Sequence, residues 1–175
     1  MHIEPEIQLI LFDLDDTLVP TKDLENLRHS KDKHNLKDVI PSYSITPYPG
    51  IENALMVLMQ LFKLGIVTSA PLWYTSQMLQ IYFSKVRFDP VITYDHVEFL
   101  KPHPEPIYQA LSCADIRNEN AIFVGNDQVD YLASKSAGVR FFGAKWSDQK
   151  SYRTDETVEL KNPMDLIYLI KSLKE

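Results

Sequence analysis

Cysteine is nearly missing from this chain. Cys113 is the single thiol in 175 residues, so no intrachain disulfide can form, as suits a reducing compartment. No apolar run approaches the roughly 18 residues that a membrane-crossing helix requires. Met1–Glu6 is acidic and broken by Pro5, unlike a secretory leader. A formal net charge of −6 argues against general attraction to nucleic acid or to an anionic membrane. Repeats and low-complexity tracts are absent, and His29, His34, His96 and His103 lack metal-ligand spacing. What remains is the balance of an ordinary folded domain, 45% hydrophobic and 24% charged, at a length that suits one core. A cytoplasmic protein is expected, with its oligomeric state open.

The most informative stretch is Ile7–Thr17, IQLILFDLDDT. Leu9-Ile10-Leu11-Phe12 is too short and too apolar for a surface helix and fits a strand buried on both faces. It stops at Asp13-Leu14-Asp15-Asp16-Thr17, three carboxylates in four positions. Such a cluster repels itself, and ionising all of it is costly unless a cation lies close.

Downstream, strand and helix signals alternate. Ile51, Ala54, Leu55, Leu58, Leu61 and Phe62 repeat at helical spacing, with Gly65 as the expected C-terminal cap. Gly65–Val67 then reads as a short strand ending at Thr68-Ser69, and Pro71 as the first turn of a helix to about Val86. Pro90–Tyr94 is a third strand. The stiff loop Lys101-Pro102-His103-Pro104-Glu105-Pro106 leads into a helix to about Cys113, whose thiol is expected to be buried. Ala121–Val124 is a fourth strand, followed by Gly125-Asn126-Asp127, a helix over Val129–Ala137 ending at Gly138, and a fifth strand over Val139–Gly143. Asn162 as N-cap, Pro163, and the series Met164, Ile167, Ile170, Leu173 mark a last helix. The alternation predicts an α/β fold: a Rossmann-like three-layer α/β/α sandwich around a central parallel sheet. Its polar strand ends, Asp13/Asp15, Thr68/Ser69, Lys101 and Asn126/Asp127/Asp130, should meet at the carboxyl edge, where open α/β sheets bind ligands.

Asp13-Leu14-Asp15-Asp16-Thr17 after an apolar strand resembles the DxDxT signature of the haloacid dehalogenase superfamily. The later motifs follow in the family's order: Thr68 after the second strand, then Lys101, then Val124-Gly125-Asn126-Asp127-Gln128-Val129-Asp130 with Ala133 and Ala137-Gly138. Tyr48-Pro49-Gly50-Ile51 and the Lys101–Pro106 loop resemble the phosphoglycolate-phosphatase-like branch. The resemblance covers most of Leu9–Gly143 and implies a Mg²⁺-dependent phosphatase working through an aspartyl-phosphate. The whole chain, 1–175, would be one catalytic domain. Residues 19–48 would be a much reduced cap insertion, leaving the site open to a phosphorylated substrate of unspecified size.

By that resemblance, Asp13 is the nucleophile and Asp15 the acid and base. Asp15 also gives a backbone carbonyl to the metal. Thr68 and Ser69 bind phosphoryl oxygens, Lys101 offsets charge, and Asp130 supports Lys101 or the metal's waters. The chain departs from the pattern at Asn126, where the family has an aspartate. Either Asn126 ligates through its amide oxygen while Asp127 adds charge nearby, or Asp127 shifts in to ligate directly. The neutral amide and the small cap keep a second reading in view: a catalytically weak or silent protein that binds a phosphorylated ligand or a protein. A phosphotransferase would use the same residues. The charged segment Lys22–Asp38 is read as a solvated face or a substrate contact. Trp73, Tyr74 and Phe83 are read as packing, although Leu72-Trp73-Tyr74 could border the mouth of the site.

Overall fold

The structure, a computed structural model, describes residues 6–30, 35–147 and 157–172. Six parallel strands form one sheet: β1 (Leu9–Phe12), β2 (Lys63–Val67), β3 (Val91–Ile92), β4 (Ala121–Gly125), β5 (Arg140–Ala144) and β6 (Val158–Leu160). Their spatial order is β3-β2-β1-β4-β5-β6. Strand order therefore reverses between β1 and β4, and the carboxyl ends of these two central strands flank the crevice where such sheets take ligands.

Every residue of β1 is buried, because alternate side chains serve opposite layers. Ile10 and Phe12 join Ile66, Ile122, Val124 and Phe142 in one core. Helices α3 (Ile51–Leu58), α4 (Leu72–Tyr82) and α7 (Asp165–Ser172) pack against that core. Leu9 and Leu11 join Val67, Phe123 and Phe141 in the other core, under α5 (Glu105–Ala114) and α6 (Gln128–Ala137). The result is the expected three-layer α/β/α sandwich.

Among the described residues between β1 and α3 are the single-turn helices α1 (Glu25–Arg28) and α2 (Leu36–Val39), with 3₁₀ turns at Lys22–Leu24 and Ile40–Tyr43. Leu24, Leu36, Ile40 and Ile45 anchor this segment in the core. It is also tied to α4, where the Leu36 N–H donates to Gln77 Oε1 at 2.8 Å and the Tyr82 hydroxyl donates to the Ile45 carbonyl at 2.8 Å. Lys31, Asp32, Lys33 and His34 lie outside the described residues, as does Leu173 of the last helix.

Several local expectations are corrected. Gly65 does not cap α3, which ends at Leu58, but sits inside β2 opposite Leu11. A Cβ there would lie 2.7 Å from Leu11 Cδ2 and 2.9 Å from the Pro90 carbonyl oxygen, so the close approach of neighbouring strands requires glycine. Leu61, beyond the end of α3, is exposed. Pro71 is the N-cap of α4 rather than its first residue, and that helix stops at Tyr82. The third strand pairs only at Val91–Ile92. The last helix begins at Asp165, with Asn162 Oδ1 accepting the Met164 N–H at 2.9 Å in the turn before it. Cys113 is exposed, since the buried stripe of α5 runs through Ile107, Ala110, Leu111 and Ala114. Strand β6 had no sequence signal: three residues at a sheet edge are too short for a period to show.

Candidate active site

Asp13 follows the last residue of β1, and its backbone N–H donates to the Val124 carbonyl at 2.9 Å, locking the acidic turn to the end of β4. The turn then reverses tightly. Asp16 adopts φ 57°, a left-handed conformation that aspartate tolerates, and its N–H donates to the Val19 carbonyl at 2.7 Å. Asp13 and Asp15 are thereby brought to a cavity of about 200 Å³ at the carboxyl edge. Thr68, Ser69, Lys101, Asn126, Asp127 and Asp130 line the same cavity, so the structure gathers every candidate residue at one place. A larger cavity, about 420 Å³, lies at the amino end of β2 and contains none of them.

Lys101 is the centre of the buried half of the site. Its Nζ donates to Asp13 Oδ1 at 2.7 Å, to Asp130 Oδ1 at 2.6 Å and to the Val67 carbonyl at 3.2 Å. Asp130 Oδ2 in turn accepts the backbone N–H groups of Asn126 and Asp127, both at 3.1 Å. Gly125 makes room for this: a Cβ on it would lie 2.5 Å from Asp130 Oδ2. Asp130 is thus both a helix-end carboxylate and the partner of Lys101.

One ammonium between two buried carboxylates leaves the cluster short of positive charge. Burial, with Asp130 and Asp15 acting against Lys101, pushes Asp13 up to about 7. Burial would lower Lys101, but Asp13 and Asp130 outweigh it and hold the ammonium charged well above its usual range.

The Thr17 hydroxyl lies 3.1 Å from Asp13 Oδ2 and 3.0 Å from Asn126 Oδ1. It therefore holds the carboxylate and the amide oxygen side by side. Asp127 borders the cavity, but its carboxylate accepts the Asp130 N–H as the N-cap of α6. Among the described residues, no three carboxylate, imidazole or thiolate side chains form a metal cluster. The donor set fits a hard divalent cation through mixed oxygens: the Asp13 carboxylate, the Asp15 carbonyl and the Asn126 amide. The charge shortfall around Lys101 fits it too. Thr68, buried beside this cluster, accepts the Ala70 N–H at 3.1 Å.

Asp15 stands in a different environment. Its Oδ1 accepts the Thr21 hydroxyl at 2.7 Å and the Tyr74 hydroxyl at 2.9 Å, and it pairs with Arg28 at 2.7 Å. The sequence placed Tyr74 at a possible border of the site and Arg28 in a segment read as a solvated face or a substrate contact, but none of the three as a partner of Asp15. Arg28 belongs to a charge-dense segment in which nothing singles it out. Tyr74 does pack as expected, being fully buried, yet a buried tyrosine must also place its hydroxyl, and that was the available signal.

A family profile described as haloacid dehalogenase-like hydrolase matches residues 25–144. The chain belongs to that family. It is 30% identical to pyrophosphatase PpaX of Anoxybacillus flavithermus over 81% of this chain and 85% of that protein. It is also similar to three solved structures that share the fold. One is a HAD phosphatase from Thermococcus onnurineus, with TM-score 0.74, 20% identity, and 94% and 98% of the two chains covered. Another is a predicted phosphoglycolate phosphatase from Haemophilus somnus, with TM-score 0.74, 19% identity, and 93% and 97% covered. The third is CbbY from Rhodobacter sphaeroides in complex with phosphate, with TM-score 0.70, 19% identity, and 91% and 96% covered. No helix among the described residues is long and apolar enough to cross a membrane.

Proposed function

We propose that this chain is a Mg²⁺-dependent phosphomonoester phosphatase that works through an aspartyl-phosphate on Asp13. The observation that carries the reading is Lys101 bonded at once to Asp13 and Asp130, with Asp15 at the rim of the same cavity. The phosphatase names of several relatives support it, as does the phosphate bound in one of them.

In the first half-reaction an Asp13 oxygen bonds to phosphorus while the bond from phosphorus to the leaving oxygen breaks. Asp15 gives that oxygen its proton. In the second, Asp15 takes a proton from water as the water oxygen bonds to phosphorus. The Asp13–phosphorus bond then breaks and inorganic phosphate departs. Lys101 holds the nucleophile and balances its charge, and Thr68 and Ser69 offer hydroxyl and backbone donors to the phosphoryl oxygens. Asp13, the Asp15 carbonyl and Asn126 would hold Mg²⁺, with Asp127 adding charge nearby; bound there, the ion supplies electrostatic stabilisation of phosphoryl oxygens. The substrate is a phosphorylated molecule admitted by the small insertion at 19–48, within one catalytic domain placed in the cytoplasm.

Asp13→Asn should cost roughly a thousandfold or more in phosphate release from an aryl phosphate in Mg²⁺. Unchanged activity in that variant rules the reading out. The neutral Asn126 favours a second reading, a weak or silent protein that binds a phosphorylated ligand. Failure to bind Mg²⁺ at millimolar concentration by calorimetry, together with a large gain of activity in Asn126→Asp, would support it.

A further inference from the structure

We propose that Arg28, Tyr74 and Thr21 form a holder for Asp15, and that Arg28 and Tyr74 are positioning residues for its proton transfers. The proposal rests on the aspartyl-phosphate reading above. All three donors end on the same oxygen, Oδ1, at 2.7, 2.9 and 2.7 Å for Arg28, Tyr74 and Thr21. Among the described residues no side chain or backbone donor is found on Oδ2. A carboxyl gripped by one oxygen is fixed in rotation and keeps its other oxygen free to carry the working proton.

The three donors come from two pieces of chain. Thr21 caps the 3₁₀ turn that runs into α1, Arg28 closes α1, and Tyr74 comes from α4. Tyr74 is fully buried in the core, and the Arg28 guanidinium lies 6.0 Å from the centre of its ring. The Arg28 side chain is only 15% exposed, so the ion pair is shielded from water. The reduced insertion thus contributes to the chemistry. It reaches the acid–base carboxyl with the shielded Arg28 guanidinium.

The test is leaving-group dependence. Tyr74→Phe removes one hydroxyl and keeps the ring in the core. If the holder orients the proton donor, kcat/KM for phenyl phosphate should fall about tenfold or more, the loss expected for a hydrogen bond to a charged group. For 2,4-dinitrophenyl phosphate, whose leaving group needs no proton, the loss should stay under about twofold. Calorimetric Mg²⁺ affinity and the melting temperature should stay near those of the parent. Arg28→Gln should repeat the pattern, with Arg28→Lys recovering part of it. Equal losses on both esters would overturn the proposal as a general packing defect. So would parent-like rates in both variants, or a rise in KM alone, which would make Arg28 a substrate contact. A parent chain that hydrolyses neither ester, and is indistinguishable from Asp13→Asn, would remove the proposed function itself and the holder with it.

Discussion

The two carboxylates of the DxDxT turn, two residues apart, are held in opposite ways. Asp13 shares a single ammonium with Asp130 in a buried cluster, where the Lys101, Asp13 and Asp130 side chains are 3%, 9% and 1% exposed. Asp15 is met by a guanidinium and two hydroxyls where it lines the cavity. The inner cluster is short of positive charge and the outer one is not. The inner cluster therefore has a charge balance that fits a cation, and the outer one is balanced by protein donors. On the proposed mechanism a nucleophile and a proton carrier need these different settings, since one is held against phosphorus with its charge offset while the other keeps an oxygen free.

The largest break in this contrast is Lys101→Met. It leaves two carboxylates buried without their ammonium, which should cost about 3–5 kcal/mol of stability by denaturant titration and abolish phosphate release. Loss of activity at parent stability would mean that the inner cluster is more hydrated than its burial indicates. A subtler break is Gly125→Ala. The new Cβ would lie 2.7 Å from Asp130 Cγ, so Asp130 must retreat from Lys101. The rate should fall about tenfold to a hundredfold, while the ratio of phenyl to 2,4-dinitrophenyl phosphate hydrolysis stays as in the parent. Tyr74→Phe should do the reverse, changing the ratio, so the two variants separate the two clusters.

The smallest effect is a pH dependence. Without metal, Asp13 is raised from an ordinary 3.8 to about 7, chiefly by burial. A raised folded-state value means that Asp13 favours the fold at low pH and loses that contribution as pH rises through about 7. In EDTA, the melting temperature of the parent relative to Asp13→Asn should therefore decline between about pH 4 and pH 8. Mg²⁺ should restore the parent at the upper end. A flat difference would show that Lys101 alone neutralises Asp13.

The inner cluster was legible in the sequence and the outer one was not, for a physical reason. Asp13 directly follows β1, Asp130 is in the first turn of α6 after β4, and Lys101 is in the loop between β3 and α5; their residue types and order along the chain made them readable. Arg28 reaches Asp15 from a segment that Leu24, Leu36, Ile40 and Ile45 anchor in the core beside α4. That is a tertiary result with no local period. The same division holds for the fold. The strands β1, β2 and β4 announced themselves by composition, whereas β6 and the place of Gly65 depend on neighbours. Asp127 shows how a loop residue can be claimed locally: as the N-cap of α6 it serves the helix while Asn126 faces Thr17 and Asp13.

The most direct measurement is to trap the phosphorylated side chain. The enzyme is quenched in acid during turnover of an aryl phosphate, reduced with borohydride, and digested for peptide mass spectrometry. Homoserine in place of Asp13, and at no other aspartate, is the predicted result. Steady phosphate release with Asp13 unmodified, or with the label on Asp15, would contradict it.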